Sequence, residues 1–407
     1  MDQTRRGWVV LGATASLLMV SAGLRWSMGG FIPAWQRSFH VDLATVSVVA
    51  SLTLLVYGLA QPWIGLLVGR WGPRTVMAVG AATLGVGLGL SAIASNPWEL
   101  MACFGVLGGS GFAALAQVSA TAAVKDWFPG RRGLAIGIFN AGNSLGMLTI
   151  GPLSLLGISY WGWRRTDLVL GLGVLAVLVP LALGAIRSPA APTGAGAVLE
   201  SEGAYSARWL GRPEFWRLAG SFFVCGFTTN GLMGPHFVGF LDWDGFSLGV
   251  TALAIGVMGG SNVLGALAAG YFSDRVQRGR LLSAIYATRL ATLVLMLVFH
   301  SAAGILVLSA AYGFLDYATV PPTASLAVDA FGREGIRAFS WIFLAHQLGA
   351  ALSSWVSGVL FDWTHTYVTV FLFAASFLVG AAALTWGIRS EGGRALSSPL
   401  APRSQQA

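Results

Sequence analysis

The ionisable side chains that interrupt long apolar stretches of this sequence are Arg25, Arg289, Asp316 and His346. An ionisable group inside a lipid bilayer costs several kcal/mol unless it is paired or hydrated, so each of them is a candidate functional residue. The basic groups outnumber the acid, and this balance favours an anion in a cavity that they line. Asp316 or His346 can also take up a proton, the histidine near physiological pH, which would couple anion movement to proton movement.

Counting along the chain places Arg289, Asp316 and His346 at similar depths. At 1.5 Å per residue, Arg289 and His346 each lie roughly 13 Å from a charged residue near the end of their stretch, and Asp316 lies roughly 20 Å from one. In an apolar layer about 30 Å thick, we expect Arg289 and Asp316 to pair, either as a structural ion pair or as a pair that breaks when a proton arrives. Arg25 lies about 27 Å along the first stretch, where its side chain can receive a carboxylate or extend to the headgroups.

Uncharged polar side chains mark further candidate positions in the apolar stretches. Asn140 and Asn143 share one helical face with Ser144, while Thr229 and His236 share a face two turns apart. The residues expected to contact a substrate are Arg25, Gln117, Asn140, Asn143, Thr229, Asn230, His236, Asn262, His346 and Gln347. Those expected to carry proton coupling are Asp316, Arg289 and His346.

Membrane helices must position these residues, as the composition requires. The chain has 407 residues, of which 55% are hydrophobic and 10% are charged, whereas an ordinary soluble domain is roughly a quarter charged. Apolar stretches of about 20 residues, the length that spans a bilayer, recur between short clusters of Gly, Pro, Arg or Asp. The sequence therefore predicts an all-α membrane protein with twelve transmembrane helices near residues 7–35, 43–68, 75–95, 98–123, 132–157, 166–186, 215–241, 248–271, 281–300, 304–326, 338–360 and 368–388.

The distribution of charge predicts an orientation and argues against a nucleic-acid partner. The net charge is +8, but the basic residues do not form one patch. Most of them fall in alternate connections, on the same side of the predicted helices as both termini. The positive-inside rule places that side in the cytoplasm, so we expect both termini to be cytoplasmic.

The chain divides at its one long polar connection, residues 188–214, which carries prolines, glycines and the acidic pair Glu200 and Glu202. Such a composition is typical of a linker. The expected organisation is an N-terminal six-helix bundle at 1–187, a cytoplasmic linker at 188–214, a C-terminal six-helix bundle at 215–390 and a disordered cytoplasmic tail at 391–407. Similar loops, beginning at Gly65 and Gly270, follow the second and eighth predicted helices, as in folds built from two repeats.

The first of these loops resembles the G-x-x-x-D-R-x-G-x-R signature of the major facilitator superfamily. The matching residues are Gly65, Arg70, Gly72 and Arg74, and the second copy keeps Asp274 and Arg275. Gly69 stands where the family usually has an acid, so the first loop lacks the acid for the usual charge contact. Other segments resemble a bacterial branch beside the monocarboxylate and oxalate/formate porters, namely Asp126-Trp127-Phe128, Thr228-Thr229-Asn230-Gly231, Asp316 through Thr323, and His346-Gln347 with Gly349.

This resemblance implies two bundles that rock about a central site, with the fifth and eleventh helices beside the path, and a multi-pass protein of the bacterial cytoplasmic (inner) membrane. Arg25 resembles in position the basic residue on the first helix of monocarboxylate porters. Those porters commonly carry an arginine on the eighth helix, whereas this chain has the uncharged segment around Asn262 there. The predicted function is secondary active transport of a small organic anion, most simply a carboxylate, by alternating access with proton symport. A proton-antiport exporter of drugs or metabolites is the alternative.

No enzymatic site is expected. The run from Gly142 to Gly146 satisfies G-x-S-x-G, but a nucleophile elbow needs a strand-to-helix turn and this run lies within a predicted helix. The sequence has no Walker motif and no cluster with metal-ligand spacing, so neither a cofactor nor a metal is expected. The expected partners are the anion, protons and the lipid bilayer, and we expect the protein to act as a monomer.

Overall fold

A computed structural model describes residues 3–128, 131–187, 208–273 and 275–388, and the regular elements in these ranges are all helical. Ten helices there are long and apolar enough to cross a membrane. The predicted tail, 391–407, and most of the predicted linker lie outside the described residues. The prediction of an all-helical chain with many membrane-spanning helices is therefore confirmed, while the division into two six-helix bundles stays a prediction.

We number the helices α1 to α11 in chain order. Their bounds are Thr4–Phe39 (α1), Leu43–Ser91 (α2), Pro97–Val124 (α3), Leu134–Trp161 (α4), Trp163–Ala185 (α5), Leu248–Ser273 (α7), Arg278–Met296 (α8), Ala302–Phe331 (α9), Arg337–Thr364 (α10) and Tyr367–Trp386 (α11). Helix α6 consists of three consecutive helical segments, Pro213–Gly226, Phe227–Met233 and Gly234–Trp243.

The predicted helices 43–68 and 75–95 together form the 49-residue element α2, which turns sharply at Gly72. Gly72 has a φ of 77°, a left-handed conformation that glycine adopts without steric cost. The predicted helix 215–241 coincides with α6, which is not among the ten spans. The count of twelve transmembrane helices is therefore not confirmed by these elements.

Glycines allow several helices to approach one another closely. A Cβ atom at Gly146 of α4 would overlap the carbonyl oxygen of Met19 on α1, and one at Gly226 of α6 would overlap the carbonyl oxygen of His346 on α10. Helices in a membrane are held together by such close van der Waals packing, because lipid provides no hydrophobic drive between them. The glycines therefore fix α1 against α4 and α6 against α10.

The N-terminal part of the chain (residues 3–187) and the C-terminal part (208–388) meet along three helix pairs: α1 with α6, α2 with α10, and α4 with α7. Between α2 and α10, the Ser51 hydroxyl donates to the carbonyl of Ala351 at 2.6 Å, and the Ser354 hydroxyl donates to that of Ser47 at 3.3 Å. These residues lie toward the helix ends remote from the chain termini. The two parts are therefore in contact at that end of the molecule.

Candidate functional site

Arg25 lies at the junction between the two parts of the chain. It is partly buried, and its guanidinium carbon is 4.7 Å from the ring centre of Tyr57 on α2. The hydroxyl groups of Tyr57 and of Tyr317, on α9, interact with the guanidinium group. Arg25 forms no ion pair with another of the described residues. A small cavity beside it is lined by Arg25, Trp26, Met28, Leu54, Asn230, Gly234 and Pro235.

A break in α9 positions Asp316 and Tyr317. The α-helix stops at Asp316, a single 3₁₀ turn covers Tyr317–Thr319, and the helix resumes at Val320. Pro321 and Pro322 follow the break and have no N–H to donate, so the regular hydrogen-bond ladder cannot continue through it. The 3₁₀ turn thereby places the Asp316 side chain toward α7 and the Tyr317 hydroxyl toward Arg25 of α1.

Asn262 of α7 contacts both residues of this break. Its amide nitrogen donates to Oδ2 of Asp316 at 3.1 Å, and its amide oxygen accepts from the main-chain nitrogen of Tyr317 at 3.2 Å. Asp316 is 4% exposed and Asn262 is 1% exposed. Asn262 therefore orients the carboxylate and satisfies the main chain next to it.

The expected ion pair between Arg289 and Asp316 is not formed. Arg289 is fully buried on α8, and its Nη2 donates to the main-chain carbonyls of Leu315 and Asp316, the second at 3.0 Å. Within the part of the chain that the structure describes, neither Arg289 nor Asp316 forms an ion pair. The prediction failed because helix depth fixes how far a side chain lies along the membrane normal but not which atoms of the neighbour it reaches.

His346 and Gln347 lie side by side on α10. Nδ1 of His346 is 3.2 Å from Oε1 of Gln347, and its ring stacks on Phe343 with a centroid distance of 5.7 Å. An electrostatic interaction connects His346 with Asp316. The Gln347 side chain crosses to the N-terminal part, where a Cβ atom on Gly58 of α2 would be 2.6 Å from its Cβ. Its Nε2 is buried and has no hydrogen-bond partner.

The three candidates of α6 have different surroundings. Asn230 is partly exposed and lines the cavity beside Arg25. The Thr229 hydroxyl donates to the main-chain carbonyl of Cys225 at 2.8 Å. Nε2 of His236 is 2.8 Å from the carbonyl of Ser354 on α10. In this conformation Asn230 faces the cavity, whereas Thr229 and His236 are engaged in contacts within helices or between them.

Among the described residues, the candidates of α3 and α4 form no hydrogen bond with the polar residues around Arg25 and Asp316. Gln117 is exposed at the point where α3 resumes after an interruption at Leu115 and Ala116. Asn140 and Asn143 are partly exposed on α4. Their role as lining residues stays a prediction.

The loop motif forms the turn inside α2. Gly72 provides the positive φ, and Arg70 and Arg74 on either side of it are exposed. Gly65 has space toward Val118 of α3, since a Cβ atom added there would have its nearest neighbour at 3.9 Å. In the second copy, Arg275 lies over the ring of Tyr271, with 3.5 Å between the guanidinium carbon and the ring centre. Asp274 lies outside the described residues.

The sequence interpretation missed two kinds of residue. Tyr57 and Tyr317 contact Arg25, and the available signal was a polar aromatic side chain within an apolar stretch. Asp316 is the acid expected inside a span, but Asp167 of α5 is also fully buried and accepts a hydrogen bond from Ser91 of α2 at 2.7 Å. Asp167 falls within the predicted helix 166–186, so its position at the edge of that span concealed it.

Among the described residues, no three or more His, Cys, Asp or Glu side chains lie close enough together to hold a metal ion. Cys103 and Cys225 are not joined by a disulfide. The polar groups around Arg25 and Asp316 can offer a guanidinium group, tyrosine hydroxyls, a carboxylate and side-chain amides to a small polar solute.

Sequence comparison gives a consistent set of relatives. The sequence model of the Major Facilitator Superfamily matches residues 14–335 and 245–405. The MFS-type transporter YcxA of Bacillus subtilis is 28% identical over 90% of this chain and 91% of its own length. Monocarboxylate transporter 11 of Mus musculus is 30% identical over 94% of this chain and 87% of its own length.

Solved structures of the same fold are also similar. An inward-facing, occupied bacterial homologue of the human lysosomal transporter Spinster superposes with a TM-score of 0.75, covering 97% of this chain and 98% of that chain, at 16% identity. A D-xylose-proton symporter superposes with a TM-score of 0.73, covering 95% of this chain and 98% of that chain, at 14% identity. At these identities the superpositions show the fold alone.

Proposed function

The chain belongs to the Major Facilitator Superfamily and is a multi-pass membrane transporter, not an enzyme, and on this premise we propose that it carries a small organic anion, most simply a carboxylate, in symport with protons. The carrier has twelve transmembrane helices in two six-helix bundles, residues 1–187 and 215–390, and acts as a monomer in a bacterial cytoplasmic membrane with both termini inside.

The observation that carries this proposal is the position of Arg25. A guanidinium group offers two parallel N–H donors, which match the two oxygens of a carboxylate. Arg25 lies between the two parts of the chain, beside a cavity, and is not part of a recorded ion pair among the described residues. A carboxylate bound there would neutralise the charge and accept hydrogen bonds from Tyr57 and Tyr317. The monocarboxylate transporters among the relatives support the same substrate class.

Proton coupling is assigned to Asp316, with His346 as the alternative site. Asp316 is next in the chain to Tyr317, which interacts with Arg25. The Asp316 charge and an anion bound to Arg25 therefore both lie at the break in α9. When the carboxyl group is protonated, the break loses a negative charge close to the anion. Protonation therefore favours anion binding, and the two ions move together.

Alternating access requires the two parts to separate at one end while they close at the other. The hydroxyl hydrogen bonds between α2 and α10 join Ser51 with Ala351 and Ser354 with Ser47, in the halves of these helices remote from the termini. This arrangement supports a state that is closed at that end, which the predicted orientation makes the outer face.

The test is uptake into proteoliposomes. Radiolabelled carboxylates such as lactate, pyruvate, formate and oxalate are offered with and without an inwardly directed proton gradient. We expect gradient-driven accumulation of at least one of them, and reduced accumulation in Arg25→Ala. Arg37→Ala is the matched control, because Arg37 is an exposed arginine near the end of the same helix.

Two results would contradict the proposal. If no carboxylate accumulates and a cationic or neutral compound is instead expelled against a proton gradient, the protein is a proton-antiport exporter. If Arg25→Ala and Arg37→Ala lower uptake equally, Arg25 does not bind the anion.

A further inference from the structure

Arg289 is a large, fully buried cation, and the ion pairs of the described residues include no carboxylate bonded to it. Burying a charge in a low-dielectric interior is unfavourable unless strong polar contacts compensate for it. The contacts that surround Arg289 therefore indicate what the residue does.

Each terminal nitrogen of Arg289 has a defined partner. Nη2 donates to the carbonyls of Leu315 and Asp316, the last residues of the first segment of α9. Nη1 donates to the Cys225 sulfur of α6 at 3.3 Å. The guanidinium carbon is 5.8 Å from the ring centre of Tyr312, and at the same distance from that of Tyr286.

The carbonyls need a donor because the helix ends there. The last carbonyls of a helix have no partner within it, and they carry the negative end of the helix dipole. In a continuous α-helix these carbonyls would accept from the N–H groups of Thr319 and Val320, but the N–H of Val320 instead donates to the carbonyl of Tyr317 in the 3₁₀ turn. A cation at this position satisfies two carbonyls and interacts favourably with the dipole.

A second contact joins the same break to α6. The Cys225 sulfur is 3.2 Å from the Thr319 hydroxyl, and that hydroxyl donates to the carbonyl of Asp316 at 3.3 Å. Arg289 and Thr319 therefore meet at one carbonyl, that of Asp316. Together they connect α6 and α8 to the one turn of α9 that presents Asp316 and Tyr317.

We propose that Arg289 is a positioning residue that caps the broken end of α9 and so sets where Asp316 meets Asn262 and where Tyr317 meets Arg25. Its charge acts on the Asp316 carboxylate through space, but its hydrogen bonds go to the main chain of α9, so protonation of Asp316 does not release it. This inference deepens the proposed function, and it rests on the assignment of anion binding and proton coupling to these groups.

The first test is a double-mutant comparison on the purified full-length chain, which needs no known substrate. Arg289→Met, Asp316→Asn and the double variant are compared by thermal unfolding in one detergent. Arg289→Met is expected to lower Tm, and the double variant is expected to unfold no higher than Arg289→Met, because the carbonyls stay uncapped. A double variant that recovers the Tm of Asp316→Asn would overturn the proposal, since removing both charges relieves only the loss of an ion pair.

The comparison remains decisive if Arg289→Met does not fold. In that case the yield of folded double variant is measured. A folded double variant indicates an ion pair and overturns the proposal, whereas an unfolded one supports capping.

The second test reports position rather than stability. Tyr317→Cys is placed in a Cys103→Ser background, and its rate of labelling by a membrane-permeant maleimide is measured. Cys225 is kept because it is only 1% exposed and is therefore shielded from the reagent. Arg289→Met is expected to change this rate about tenfold, as the loss of one charge-assisted hydrogen bond would. Arg289→Lys, which keeps a cationic donor, should restore it, and Thr288→Ala, at an exposed position of the same helix, should leave it unchanged. An unaltered rate in Arg289→Met would overturn the positioning role.

Neither readout depends on transport. If uptake assays show no carboxylate transport while both tests give the expected results, the proposed function fails and the role of Arg289 in holding α9 stands. If carboxylate uptake is present and the double variant recovers the Tm of Asp316→Asn, the proposed function stands and the capping role of Arg289 fails.

Discussion

The carboxylate of Asp362 on α10 accepts a hydrogen bond from the main-chain nitrogen of Ala44 on α2 at 2.7 Å. Its other oxygen accepts from the nitrogen of Leu43 at 3.1 Å. The first N–H groups of a helix have no partner within it and lie at the positive end of its dipole, so they favour an anionic acceptor. An acid of the C-terminal part thus caps a helix of the N-terminal part, at the end where the two parts are in contact.

Asp362→Ala is expected to loosen this contact and shift the protein toward the state that is open at that end. The measurement is the labelling rate of Ser47→Cys by a membrane-impermeant maleimide, which should rise about tenfold if a charge-assisted hydrogen bond is lost. Asp42→Ala is the matched control, because Asp42 caps the same helix through Thr45, at 2.9 Å, without crossing between the parts. Equal rates in the two variants would show that Asp362 does not hold the closure.

Substitution of Arg25 should separate charge from geometry. Lysine keeps the charge without the planar fork, so Arg25→Lys should retain partial transport. Arg25→Ala should raise KM about tenfold or more, since charge-assisted hydrogen bonds are each worth about 1.5–3 kcal/mol. Initial rates of uptake across a range of substrate concentrations give KM. Wild-type kinetics in Arg25→Ala would show that the anion binds elsewhere.

Asp316→Asn should uncouple transport from the proton gradient. Asparagine can keep a hydrogen bond to Asn262 but cannot take up a proton, so we expect gradient-driven accumulation to be lost while exchange between compartments of equal pH continues. His346→Gln should instead weaken binding and leave coupling intact. Counterflow exchange and proton-gradient uptake are measured on the same reconstituted samples. If only His346→Gln uncouples uptake from pH, the proton site is the histidine.

Gly226→Ala should destabilise the packing of α6 against α10. The added methyl group would overlap the carbonyl oxygen of His346, and overpacking of this kind typically costs about 1–3 kcal/mol. Gly380→Ala on α11 is the matched control, because nothing lies within 4 Å of the added Cβ. Thermal unfolding should show a lower Tm for Gly226→Ala and little change for Gly380→Ala. Similar values for both would mean that α6 and α10 can move apart without cost.

The sequence by itself determined the class of the molecule. Apolar stretches of membrane-spanning length are a local property of the chain, and in lipid each must satisfy its own backbone as a helix. The loop residues around Gly72 and the ionisable residues within the apolar stretches are local features too. They were sufficient to predict a transporter of this superfamily and to identify Arg25, Asp316 and His346 as candidates.

Only the tertiary structure decided which atoms meet. Arg289 bonds to main-chain carbonyls that exist as free acceptors because α9 breaks at Asp316, and no count along a helix shows which way the guanidinium group turns. The contacts of Arg25 with Tyr317 and of Asp362 with Ala44 join helices far apart in sequence. Their geometry depends on how closely the helices approach and how they are rotated, which is set by packing over the whole molecule.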